Sequence, residues 1–186
     1  MVCRHELLGT PAIDPIAFPN TVDSIYYWTS SSYALSPGGV WALDFDWPYS
    51  YYSVAWSLEL VRCVRGSRCY PTSRFVGSNG LVTDTLTNLV WQQQASTSDM
   101  SWTAAQTYCP SGFRLPTLKE LESLVDLTVT SAPTVNQTAF PDTPADWYWT
   151  SSLYAGSSGS AWSVAFSDGY SFLSAMGYSY AVRCVR

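Results

Sequence analysis

Few residues in this 186-residue chain could do covalent or acid–base chemistry, and their spacing does not favour catalysis. The single histidine, His5, has no nucleophile and orienting carboxylate arranged around it in the sequence, and hydrolytic catalysis needs all three roles filled. The five cysteines, Cys3, Cys63, Cys69, Cys109 and Cys184, form no C-x-x-C pair, so zinc binding and dithiol exchange lack their usual spacing. Five cysteines suit two disulfides and a leftover thiol, or five buried thiols. Asp44, Asp46, Asp142, Asp146 and Asp168 carry calcium-type oxygens, but no D-x-D-x-D-G loop gathers them, so solvated or structural roles are expected and neither metal nor cofactor. What remains is recognition chemistry. The stretch WPYSYYSVAW, residues 47–56, sets Trp47, Tyr49, Tyr51, Tyr52 and Trp56 among Ser, Pro, Val and Ala. Large rigid rings with polar tips beside small hydroxyl residues make a contact surface at low conformational cost.

The composition agrees with that reading. Hydrophobic residues make up 47% of the chain, enough for a packed core, while only 12% are charged and 16% aromatic. The surface must then consist largely of Ser, Thr, Gly, Asn and ring edges. A net charge of −5, with nine Lys and Arg scattered along the chain, argues against nucleic acid, which needs clustered cations to displace counterions. No apolar run approaches the roughly 20 residues that span a bilayer, so no membrane insertion is expected. The opening MVCRHELLGT has no hydrophobic signal-peptide region, and the leader of a secreted form would lie outside this chain.

An internal repeat organises the elements that must position these residues. The segment from Tyr27 to Arg65 aligns without a gap on that from Tyr148 to Arg186, at a constant offset of 121 that pairs Trp28 with Trp149, Trp41 with Trp162, Phe45 with Phe166 and Cys63 with Cys184. Upstream, AFPNT matches AFPDT and HELLG faintly matches KELES. The tryptophans shared by both copies are expected in the core. The opening stretch lies opposite DGYSFLSAMG, residues 168–177, so ligand surfaces are expected over 46–57 and 167–180, with Asp168, Tyr170, Phe172 and Tyr178 as the later candidates. The second copy alone has an upstream half. The expected organisation is a truncated repeat over 1–66, a linker over 67–74 and a complete domain over 75–186. Residues 1–66 must have their apolar face, Trp41, Leu43 and Phe45, covered by the complete domain or by a neighbouring chain, and should not fold alone.

In the complete copy, Asn79-Gly80 signals a hairpin between short strands. Ser101 is placed to cap a short helix, and Thr117 with Glu120 forms a capping box ahead of Leu118, Leu121, Leu124 and Val125 on one helical face. Trp162, Val164 and Phe166 alternate with Ser163 and Ala165, and Tyr180, Val182 and Cys184 alternate in a last strand, each pattern implying one buried face. Two short helices packed on small, twisted antiparallel sheets with long irregular loops give an α+β class.

The ordered set RFVGSNGLVTDTLTNLVWQ, WTAAQTYC, GFRLPTLKEL, AFPDT, WYWTSS, AWSVAFSDG and YAVRCVR resembles the bacterial Lcl C-terminal domain family over residues 74–186. Residues 1–66 resemble its later half. That family is similar to C-type lectins and formylglycine-generating enzymes in superfold. The resemblance implies an extracellular or cell-surface module that binds a protein or glycan rather than an enzyme, and a disulfide between Cys109 and Cys184. The calcium motifs of vertebrate lectins are absent. The partner of Cys63, either Cys3 or Cys69, stays open. The competing reading is a structural subunit whose aromatic loops contact neighbouring copies, in a homo-oligomer or a larger tandem protein.

Overall fold

The computed structural model describes residues 13–22, 25–46, 50–54, 57–65 and 73–186. The chain divides into two compact units, Met1–Val64 and Arg65–Arg186.

The second unit is α+β. It opens with a meander of β4 (Phe75–Ser78), β5 (Leu81–Asp84) and β6 (Leu89–Gln92), continues through α1 (Trp102–Tyr108) and α2 (Leu118–Glu122), and closes with β7 (Trp147–Leu153), β8 (Ser160–Ala165) and β9 (Ser171–Ala175). Each sheet has three antiparallel strands in sequence order. The hairpin between β4 and β5 turns on Asn79 and Gly80, with φ of 51° and 73°. Only residues that tolerate the left-handed region make so tight a turn.

The two helices depart from the sequence expectation in instructive ways. Ser101 occupies the N-cap of α1, but its side chain makes no capping hydrogen bond. The capping box on α2 is present, yet the helix runs only five residues. It stops where the Ser123 hydroxyl donates back to the Glu120 carbonyl at 2.7 Å, the local competition that makes serine a poor helix interior residue. Leu121 and Leu124 are still buried, with Leu118 and Val125 packed beside them.

The final segment, residues 180–186, is not a regular strand but a stitch between elements. On one side Val90, Gln92 and Ser96 pair with Arg186, Cys184 and Val182, and on the other Arg114 exchanges two hydrogen bonds with Val185. Met100 does the same with Tyr180, and Ala181 bridges β7. The expected single buried face is therefore corrected to two. Ala181 and Val185 enter a core cluster with Trp91, Leu121, Phe140, Tyr148 and Phe166, while Val182 and Cys184 enter a second with Ala105, Leu115 and Trp149. The same holds for β8, where Ala161, Trp162, Ser163, Val164 and Ala165 are all buried. Core on both sides of a sheet removes the polar face that alternation requires.

Cys109, just past α1, forms a disulfide with Cys184. Arg74, at the end of the stretch read as linker, is held in the folded unit by two bonds to Asp84 at 2.9 and 2.7 Å and one to the Ser123 carbonyl. Burial alone would raise the Asp84 carboxyl, but Arg74, the Leu86 amide and the Thr87 hydroxyl hold it below its ordinary value.

Glu122 has no such cation. Burial pushes its carboxyl up to about 7, with Ser171 and Lys119 opposing. Because this value lies above the unfolded one, the fold prefers the protonated acid. Its stabilising contribution is complete below pH ~4.5 and is lost as pH rises through 7. Glu122→Gln should abolish that slope and make the protein more stable than the parent at pH 8 by up to roughly 3 kcal/mol. Urea midpoints of the two proteins at pH 5 and pH 8 check this, and parallel pH profiles would refute it.

The first unit contains β1 (Tyr26–Ser32), β2 (Gly39–Asp44) and β3 (Ser50–Val54) in one antiparallel sheet. Its pairings, such as Tyr27 with Leu43 and Val40 with Ser53, recur at Tyr148 with Val164 and Ala161 with Ser174. Even the register shift after Trp28 recurs after Trp149. Thr29 donates to the Trp41 carbonyl at 2.8 Å as Thr150 does to that of Trp162 at 2.7 Å. Trp41, Trp149 and Trp162 are buried as expected of frame residues, whereas Trp28 is only half-buried.

Candidate functional site

In the second unit a line of aromatic rings runs along the sheet face that carries Trp149. Phe172 meets Trp147 edge-on at 6.3 Å, Trp147 stacks on Tyr180 at 5.9 Å, and Tyr180 stacks on Tyr178 at 6.0 Å. The outer rings are open to solvent, Phe172 at 61% and Tyr178 at 59%, while Trp147 and Tyr180 are half-buried. Phe172 reaches Trp147 across the middle strand because β8 presents only Ser163 and Ala165 beneath them.

The inner part of the line is anchored from below. Ser174 donates to the Tyr180 hydroxyl at 3.2 Å and shares a 2.9 Å hydrogen bond with Ser163. Trp149 packs on Tyr180 at 4.6 Å and donates through Nε1 to the Met100 carbonyl at 2.8 Å. Rings fixed in this way present area without the entropy cost of ordering it. The line itself contains no Asp, Glu, Lys or Arg, so what its rings can do chemically is stack, accept CH contacts and offer phenolic hydroxyls.

Of the residues singled out from sequence, Phe172 and Tyr178 join this line. Asp168 and Tyr170 do not. Asp168 accepts from the Tyr170 amide at 3.0 Å, Gly169 has φ of 90°, and the Tyr170 carbonyl accepts from Ala165 at 2.7 Å, so these residues close the turn into β9. Tyr170 itself is half-buried. In the first unit Tyr51 and Tyr52 stack on each other at 5.6 Å, with Tyr26 and Tyr33 on either side at 5.5 and 4.4 Å. Tyr26 and Tyr51 stand where Trp147 and Phe172 stand in the second unit. Trp47, Tyr49 and Trp56 lie outside the described residues.

Sequence reasoning missed Trp147, Tyr180, Tyr26 and Tyr33 as partners in these stacks. Trp147 and Tyr26 sit one residue ahead of the matched repeat, and Tyr180 reads as an inward residue of the last strand. It also passed over Arg183, which is fully buried. Arg183 donates to the carbonyls of Gln92 and Gln93 and, at 2.8 Å, to the Thr143 hydroxyl, with its guanidinium 4.8 Å over the Phe140 ring. Burial lowers it to about 10, opposed by the facing Tyr148 hydroxyl, and lifts Tyr148 to about 12. Arg183 thus keeps its charge at neutral pH. Arg62 repeats the set in the first unit, 2.6 Å from Thr21 and 5.2 Å over Phe18, but it is exposed. All these contacts are internal, so Arg183 is a structural centre and not a site.

Among the described residues no group of three or more His, Cys, Asp or Glu could hold a metal ion. No helix there is long and apolar enough to cross a membrane. The family model described as the Lcl C-terminal domain matches residues 80–186. The chain belongs to the Lcl C-terminal domain family. No curated protein matches it. The Lcl C-terminal domain match takes in the whole aromatic line, the Arg183 centre and the Cys109–Cys184 disulfide.

Proposed function

We propose that the chain is a non-enzymatic, C-type-lectin-like binding module that works outside the cell or at its surface, in adhesion to a protein or glycan. The line Phe172–Trp147–Tyr180–Tyr178 carries this reading, because its exposed ends rest on inner rings that are already fixed. Rings of this kind add on the order of 0.5–1.5 kcal/mol each to a contact beyond area burial. The exposed Tyr178 and Ser179 beside it supply hydroxyls suited to sugar or peptide polar groups. A disulfide fits an oxidising compartment.

A screen of glycans and surface proteins with the intact chain tests the proposal. Phe172→Ala and Tyr178→Ala should each weaken the captured ligand by roughly 2- to 12-fold. Their melting temperatures should stay within a few degrees of the parent, since exposed rings add little to folding. Unchanged affinity in the double variant would move the ligand surface elsewhere.

The first unit favours a second reading as an assembly subunit. Its end, Leu60, Val61 and Val64, is exposed. We read residues 1–66 as a truncated copy of the family domain, on the shared register of β1–β3 and β7–β9.

A further inference from the structure

Residues 60–65 at the end of the first repeat, LVRCVR, correspond to residues 181–186, AVRCVR, at the end of the second. The surroundings of the two segments differ sharply. Val182 and Val185 are fully buried, whereas Val61 is 65% and Val64 95% exposed. Leu60 still pairs with β1 through Tyr26 and Trp28, as Ala181 pairs with β7. Beyond it, residues 61–65 make no backbone hydrogen bond among the described residues, while 182, 184, 185 and 186 bond to Ser96, Gln92, Arg114 and Val90. Cys184 is bonded to Cys109, and Cys63 is an exposed free thiol.

The hydrogen-bond partners of the 182, 184, 185 and 186 backbone and the disulfide partner of Cys184 all come from residues 73–115: β6, the segment after it, the cysteine that follows α1, and Arg114. A segment whose backbone groups bond to nothing among the described residues and whose apolar side chains are exposed is a template for pairing, and the second unit shows what pairs with that sequence.

We propose that residues 60–65 are a docking site for a partner polypeptide with the chemistry of residues 73–115. That partner is a three-stranded meander whose third strand pairs along Val61–Arg65, followed by a short helix ending in a cysteine that bonds to Cys63. A second copy of this chain cannot be the donor, because giving up its residues 73–115 would uncover its own Val182, Cys184 and Val185. Bond formation joins two thiols with loss of two electrons and two protons, taken up by oxidised glutathione.

The test incubates the intact chain with an isotope-labelled peptide of residues 73–115 in a glutathione redox buffer, followed by non-reducing peptide mapping. A link between Cys63 and the labelled Cys109 is expected, with the chain's own Cys109–Cys184 bond retained. Val61→Asp with Val64→Asp should reduce that link at least tenfold while leaving Cys63 equally reactive toward glutathione. A second arm, which does not rely on the free peptide, joins residues 73–115 ahead of residue 1 through a Gly/Ser linker that raises the effective concentration. Amide exchange at Val61 and Val64 should then slow by at least tenfold. The proposal is overturned if neither arm protects this edge, if linking ignores the Asp substitutions, or if Cys63 in the intact chain is bonded to Cys3 or Cys69.

Discussion

Cys109→Ala with Cys184→Ala should lower the stability of the second unit by about 4 kcal/mol, because the bond closes a loop with a sequence separation of 75 residues. In the chain-entropy account the loss arises in the unfolded state, which regains the freedom of that loop. Alanine in both positions leaves no unpaired thiol and removes little volume. Cys184 sits in the second core cluster beside Ala105, Leu115 and Trp149, so some packing is lost as well. Chemical denaturation with the parent in oxidised and reduced forms measures the effect. The oxidised-minus-reduced difference should match the double variant, whereas a difference near zero would show that the fold does not depend on the bond. Reduction of the parent should leave the first unit unaffected, since Cys63 there is a free thiol.

Arg183→Met should be costly as well, at roughly 2–4 kcal/mol, because it leaves buried acceptors without their donor. The substitution keeps the length and apolar stem but removes the donor to the carbonyls of Gln92 and Gln93 and to the Thr143 hydroxyl, which retains only its own bond to the Phe140 carbonyl. A fully buried position gives them no water in return. Arg62→Met makes a close control. Arg62 keeps the contacts to Thr21 and Phe18 but is exposed, so its loss should cost no more than about 0.5 kcal/mol. Urea midpoints of the two variants decide the matter. Equal small effects would mean that the second-unit cluster tolerates an uncharged core, and equal large effects would mean that the first-unit edge is already covered in solution.

The contrast between Arg62 and Arg183 shows where sequence information ends. The two segments differ at a single one of six positions, LVRCVR against AVRCVR, so nothing local distinguishes an exposed arginine from a buried one. The difference comes from residues 73–115, which lie far from Arg183 in sequence and close to it in space. The disulfide and the bonds to Gln92 and Gln93 follow from that packing, and Phe140, Thr143 and Tyr148 complete the enclosure of Arg183.

Local chemistry was legible. Asn79-Gly80 fixed a hairpin because few residues accept positive φ, and Thr117 with Glu120 fixed a helix start because both groups lie within one turn. Helical and strand patterning implied the α+β class, and the family pattern named the cysteine pair that the structure contains. Side-chain alternation failed in β8 and in residues 180–186 because both are packed on two sides, and period-two patterning presumes one wet face.

The proposed recognition surface divides in the same way. Aromatic enrichment marked Phe172 and Tyr178, since exposed rings among serines stand out in composition alone. It could not separate them from Tyr170, which the turn at Asp168–Gly169 draws inward, or supply Trp147 and Tyr180 as the rings between. Sequence by itself determined which residue types are available to the proposed surface and which short segments hold their shape. Only the tertiary structure decided which rings share a face, because that depends on small residues of a middle strand letting side chains from its neighbours meet.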